Sequence, residues 1–131
     1  MALVDDKDIR GEDDVWRRVP SSPSQLTYEH DERRWRPSSA AFEDSGPDDP
    51  MSALLAREDT PQRALQGRWS GWFLAALGAE MLRADGQGIA RDPTEEDPSH
   101  VLVFGRKTRK IQRRWAKSAR WIVPPDLPAP P

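Results

Sequence analysis

The sequence predicts an α+β fold: a small, mostly antiparallel sheet of short strands with one or two helices and disordered ends. Three observations carry this. Short apolar or alternating runs such as VWRRV and VLVF recur between turn residues. Most connections between them are too short to hold a crossover helix, which favours antiparallel pairing. A helical period is clear only late in the chain, where Ile111, Trp115 and Ala119 fall at i, i+4 and i+8. With 131 residues, 36% apolar, there is material for one modest core. Thirteen prolines, 32% charged residues and a mean hydropathy of -0.84 indicate that part of the chain stays outside it. The expected division is an acidic, flexible lead over 1–13, one compact domain over 14–123, and a proline-rich tail over 124–131.

The elements follow in order. Residues 1–13 are acidic and aperiodic, as a poorly ordered terminus is. Val15 to Pro20 is rich in strand formers and ends where proline removes a backbone donor. SSPSQ is a loop, and a strand is expected near Ser38 to Phe42, after the Arg36-Pro37 step. EDSGPDDP is a loop, because glycine permits positive φ, proline blocks ladder bonding and aspartate makes local turns. Met51 to Ala56 reads as a strand or one helical turn. Thr60-Pro61 is an N-cap followed by a first helical residue, where the missing proline donor costs nothing. Two readings follow: one helix from Pro61 to Ala84, or a buried strand over Gly71 to Leu77 and a short helix over Ala79 to Ala84. Gly67, Gly71 and Gly78 favour the second, each costing about 1 kcal/mol inside a helix relative to alanine. DGQG is a turn, Arg91 to His100 a polar loop, and Val101 to Phe104 the clearest strand. A helix starts at Thr108. Ile122 continues its face at i+11, although Trp121 to Val123 also suits a last strand. VPPDLPAPP is polyproline-like.

Composition also bounds function. Without cysteine, disulfides, thiolate catalysis and cysteine-bound zinc are excluded; only His30 and His100 remain as imidazole ligands, so no metal and no cofactor site is expected. No apolar run is long enough to span a bilayer, and the acidic start is neither a secretory nor a transit signal, so the expected location is cytoplasmic. The net charge of -2 averages two unlike parts. Pro98 to Pro125 holds eight Lys or Arg and no acid, which leaves -10 for the rest.

Three groups of residues are candidates for chemistry. The first is the basic block Arg106, Lys107, Arg109, Lys110, Arg113, Arg114, Lys117 and Arg120. Clustered cations suit anions, because displaced counterions supply affinity for phosphates, and Trp115 or Trp121 would stack on a base if exposed. The alternative is a solvated helix face, and the acidic remainder opposes a second pass of nucleic-acid backbone. The second is Arg36 with Ser38 and Ser39, a fork and two hydroxyls suited to an oxyanion, or simply a turn. The third is His100, with Asp92, Glu95, Glu96 and Asp97 near it in sequence. A carboxylate-oriented histidine is a general base, but Ser38, Ser39, Ser99 and Thr94 are undistinguished as nucleophiles, and a histidine at a strand start is commonly a packing residue. No phosphate loop, HExxH, GxSxG or calcium loop occurs.

The blocks RPSSAAF with MSALLA, and GIARDPTEEDPSHVLVFG with the basic helix after it, resemble those of a group of small bacterial proteins. That group shares an Arg-Pro-Ser-Ser-Ala-Phe block and a later Asp-Pro…His-Val-Leu-Val…Gly block. The resemblance covers roughly residues 15–123 and implies no activity. A second likeness is to a degenerate ADP-ribosyltransferase-like fold, in which Arg18 or Arg36, Ser38-Ser39 and His100 would line a nicotinamide cleft; the acidic or aromatic signature of that fold is missing.

The function expected from all this is a non-enzymatic accessory or regulatory protein that binds another protein of a bacterial system. Trp35, Trp69 and Trp72 with their arginine neighbours are the partner-binding candidates, since tryptophan and arginine are enriched at binding hot spots. The alternatives are a small ligand-binding or enzymatic domain using Arg36, Ser38 and His100, and a nucleic-acid module built on residues 106–120.

Overall fold

A computed structural model of the chain describes residues 2–131. Among these, eight strands and three α-helices occur in the order β1 (Asp14–Val19), β2 (Leu26–Glu29), β3 (Arg34–Pro37), β4 (Met51–Leu55), α1 (Pro61–Ala64), β5 (Phe73–Gly78), α2 (Ala79–Ala84), β6 (Gly88–Arg91), β7 (His100–Phe104), α3 (Arg109–Ser118) and β8 (Arg120–Val123). Six strands form one antiparallel sheet in the order β6-β7-β4-β1-β5-β8, and β2 and β3 form a separate hairpin. The fold is therefore α+β with a mostly antiparallel sheet, as the sequence predicts.

Both faces of the sheet are covered in part, which follows from the side-chain period of two. On one face Val15, Val19, Met51, Leu55, Leu77, Ile89, Val101 and Val103 meet Leu82 of α2, Trp115 of α3 and Phe42. On the other, Trp16, Leu54, Leu74 and Ala76 pack against Ala64 of α1. Strand β5, flanked by β1 and β8, is buried on both sides, and its sequence FLAALG is accordingly a continuous apolar run rather than an alternation.

The strand-then-helix reading of 61–84 is the one observed. Thr60 caps α1 by accepting the Arg63 N–H. The helix stops after one turn: Gln66 is already extended, and Gly67 and Gly71 beyond it take positive φ, 60° and 85°, where other residues are strained. Thr108 caps α3 in the same way, through the Ile111 N–H. Ala119 turns extended, so Trp121 to Val123 form strand β8 and not a last helical turn.

Other expectations are corrected. Ser39–Phe42 is a 3-10 turn, not a strand, and its Ala41 and Phe42 are buried. The pairing lies upstream, in β2 and β3, where Arg33 accepts a φ of 51° in the connecting turn. Strand β6, over Gly88–Arg91, was not expected, since four residues carry too little alternation. The acidic lead is docked. Ile9 is fully buried, the Asp6 N–H donates to the Ile89 carbonyl at 2.8 Å and Asp5 accepts the Ile89 N–H, so the lead covers the outer edge of β6. Its carboxylates are matched by arginines from distant segments: Asp5 by Arg83, Asp6 by Arg91, and Asp8 by Arg57 and Arg91. The tail has no regular structure, and the Trp35 Nε1–H reaches the Pro128 carbonyl at 3.2 Å.

Gly88 stands opposite Phe104 in the β6–β7 ladder, and a Cβ there would lie 2.2 Å from the ring. Gly88→Ala is expected to cost about 1–3 kcal/mol by forcing the ring aside. Adding Phe104→Ala should recover part of that loss, a non-additivity measurable by urea denaturation.

Candidate binding cleft

The second face of the sheet is open beside Trp16 and Leu54. There Arg18 of β1, Ser52 of β4 and His100 of β7 project from the strands by the same alternation. The chain leaving α1 brings Arg68, Trp69 and Trp72 over one side, while the loop Thr94–Asp97 and residues Glu43–Ser45 stand on the others. Together they enclose a cleft of about 900 Å³.

One wall is held by ion pairs. Arg18 grips Asp97 through both Nη atoms, at 2.9 and 2.7 Å, and donates its Nε–H to the Ala64 carbonyl at 2.8 Å. Arg63 of α1 also reaches Asp97, at 3.1 Å, and forks onto Asp59 at 2.6 and 2.5 Å. Asp59 in turn accepts the Ser99 hydroxyl in a short hydrogen bond. The hydrogen bonds from Arg18 first, then those from Arg63, hold the Asp97 carboxyl down at about 2 against its burial. For Asp59, burial opposes ionisation, but hydrogen bonds from Arg63, Ser99 and the Thr60 N–H outweigh it and its carboxyl lies below the ordinary range. Arg17, which also lines the cleft, is half-buried and donates to the Ala41 and Ser52 carbonyls at 2.8 and 2.7 Å; desolvation pushes its guanidinium down to about 10, still charged at neutral pH.

The aromatic wall is built on the same pairs. The Arg18 guanidinium lies 4.3 Å from the centre of the Trp69 ring and that of Arg68 4.5 Å, within cation–π range. Trp72 meets Trp69 edge to face at 4.8 Å. Of the three partner-binding candidates, Trp69 and Trp72 therefore come together, and Trp35 does not. Trp35 packs against the larger core, edge-on to Tyr28 at 5.2 Å, and its carbonyl accepts the Trp121 Nε1–H.

The catalytic candidates are not assembled. His100 faces the cleft, with Nδ1 3.1 Å from the Asp92 carboxylate and 2.9 Å from the Asp92 carbonyl. Among the described residues no hydroxyl hydrogen-bonds to its ring. Arg36 and Ser38 are not among the cleft's walls, because β3 belongs to the hairpin and not to the large sheet. Arg36 lies 3.3 Å from the Glu29 carboxylate, and the Ser38 hydroxyl donates to the Ser24 carbonyl at 2.6 Å. Arg18 does line the cleft, but Asp97 and Ala64 engage it.

The eight cations of the basic block divide, and Arg120 pairs with Asp14 at 2.7 Å. Lys107 is buried, donating to the Val103 carbonyl at 2.8 Å and pairing with Asp44 at 2.7 Å, and Arg114 pairs with Asp85 at 2.6 Å. Arg106, Arg109, Lys110, Arg113 and Lys117 are exposed, and among the described residues none has a salt bridge. The Asp59–Arg63–Asp97–Arg18 network was not anticipated. Its one local signal is the i,i+4 spacing of Asp59 and Arg63 across the capped start of α1.

No protein-family model matches the chain, and no curated protein or solved structure matches it. Among the described residues no helix is long and apolar enough to cross a membrane, and no group of three or more His, Asp or Glu is placed to hold a metal ion.

Proposed function

We propose that the chain is a non-enzymatic accessory protein that binds a segment of another protein in this cleft. The observation that carries the reading is the Trp69–Trp72 pair, two half-buried rings set edge to face in the wall of a concavity of about 900 Å³. Rings fixed by packing present large contact area at little entropic cost, the usual character of a binding hot spot. Glu43 and Glu95 stand on the rim, both exposed and, among the described residues, without a salt bridge, so the complementary segment carries a lysine or arginine beside apolar residues.

The test is capture of the partner on tagged protein at low and high salt, with mass spectrometry of what is retained. Wild type and Trp35→Ala are expected to hold one stoichiometric partner at high salt. Trp72→Ala is expected to lose it by roughly 30-fold in Kd, the equivalent of about 2 kcal/mol. A partner held equally by the Trp72→Ala protein would overturn the reading. A small molecule retained in place of a protein, seen by native mass spectrometry, would assign the cleft to ligand binding.

A further inference from the structure

We propose that the outward face of α3 binds the phosphate backbone of double-stranded nucleic acid without base specificity, at a site separate from the cleft. Arg109, Arg113 and Lys117 recur every four residues, which sets them about 6 Å apart along one line of the helix. Arg106 and Lys110 flank that line. All five are exposed and, among the described residues, form no salt bridge.

The absence of partners here contrasts with the rest of the molecule. Arg57, Arg63 and Arg91 each engage two or more carboxylates, and Arg114 and Arg120 of the same block engage Asp85 and Asp14. With 22 acidic side chains in the chain and none between Pro98 and Pro125, five adjacent cations remain free to meet an anion from outside.

The apolar residues of the helix decide which anion. Trp115 and Ala116 are buried, and Ile111 and Ala119 pack against the same core, so no apolar side chain stands among the cations. A protein interface has an apolar or aromatic centre, and a helix lying on a membrane buries an apolar face in it; this face has neither. A phosphate backbone requires only cations. Stacking on unpaired bases requires a free ring. Trp115 is fully buried, and Trp121 is committed edge-on to Phe73 and through its Nε1–H to the Trp35 carbonyl. The duplex backbone is thus favoured over single strands.

The experiment is fluorescence anisotropy of the full chain with labelled duplex DNA of two unrelated sequences, titrated with salt. The two sequences should bind alike, with affinity falling roughly a hundredfold or more between about 50 and 200 mM salt for some five contacts. The variant Arg109→Glu/Arg113→Glu/Lys117→Glu should lose binding while its circular dichroism and thermal midpoint stay those of wild type. Arg10→Glu, an exposed reversal away from α3, should bind as wild type does. No binding at the lowest salt, or binding unchanged by the triple reversal, would overturn the proposal. So would tighter binding of labelled polyglutamate or anionic vesicles than of duplex, which would assign the face to an acidic protein or to lipid headgroups.

Discussion

Trp115→Ala is expected to destabilise the chain by about 3–5 kcal/mol, the usual cost of removing a large buried aromatic side chain. Trp115 is fully buried and meets Phe42 edge-on at 6.5 Å. It is the largest side chain that α3 contributes to the core, and Phe42 belongs to the 3-10 turn on which that helix rests. A second tie is polar: the Trp115 Nε1–H donates to the Asp85 carboxylate at 2.8 Å, beside Arg114. Trp115→Phe separates the two contributions. It keeps most of the ring burial and should cost about 1.5–3 kcal/mol, through the lost hydrogen bond to a charged group and the smaller ring. Urea denaturation measures both, as a shift of midpoint at constant m-value. A Trp115→Ala loss below about 1 kcal/mol would mean that α3 is not pinned through this residue.

Asp97→Asn is expected to cost about 3 kcal/mol at neutral pH and to make the protein less sensitive to acid. The Asp97 side chain is 9% exposed and that of Arg18 11%, so removing the negative charge leaves a nearly buried guanidinium without its counterion. Arg63 suffers less, because Asp59 remains. The folded carboxyl, held near 2, lies below its ordinary value of 3.8. Its contribution is therefore fully present above about pH 4 and lost as the pH falls through about 2, amounting to about 2 kcal/mol over that window. Wild type should lose that much more stability than Asp97→Asn between neutral pH and about pH 2. Asp59, depressed in the same direction, leaves the variant some acid sensitivity of its own. Parallel loss in the two proteins would show that Asp97 does not carry the effect. Because Asp97 joins β1, α1 and the loop that walls the cleft, Asp97→Asn should also weaken partner capture at pH 7.

Much of this architecture is written locally. The cap at Thr60, the start of a helix near Thr108, the apolar face of α3 and the run Val101 to Phe104 depend on neighbours within a turn or a strand, so the residues themselves announce them. Glycines at 67, 71 and 78 likewise disfavour one long helix, since helix propensity is a local property. The hairpin of β2 and β3 was hidden because its turn uses Arg33 at positive φ rather than a glycine. Strand β6 was hidden because four residues form a strand only where β7 supplies the ladder.

The site is legible in smaller measure. Trp69 and Trp72 are three residues apart, and their meeting at the cleft follows from one short segment. Trp35 bears the same side chain but lies in a hairpin outside the main sheet, so only the strand order separates it from them. The acidic lead looks unstructured from its own residues, because Asp5, Asp6 and Asp8 find their arginines some 50 to 85 positions away. The fold class, the Thr60 cap and the concentration of positive charge after Pro98 can be read from the residues alone, as consequences of periodicity, capping and composition. Which charges are paired and which are free depends on the folded chain: among the described residues it closes Asp97 onto Arg18 across 79 positions, buries Lys107 against Asp44 and leaves five cations of the α3 block without a salt bridge. Ion pairing is set by distance in space, and distance in space is fixed by the sheet order.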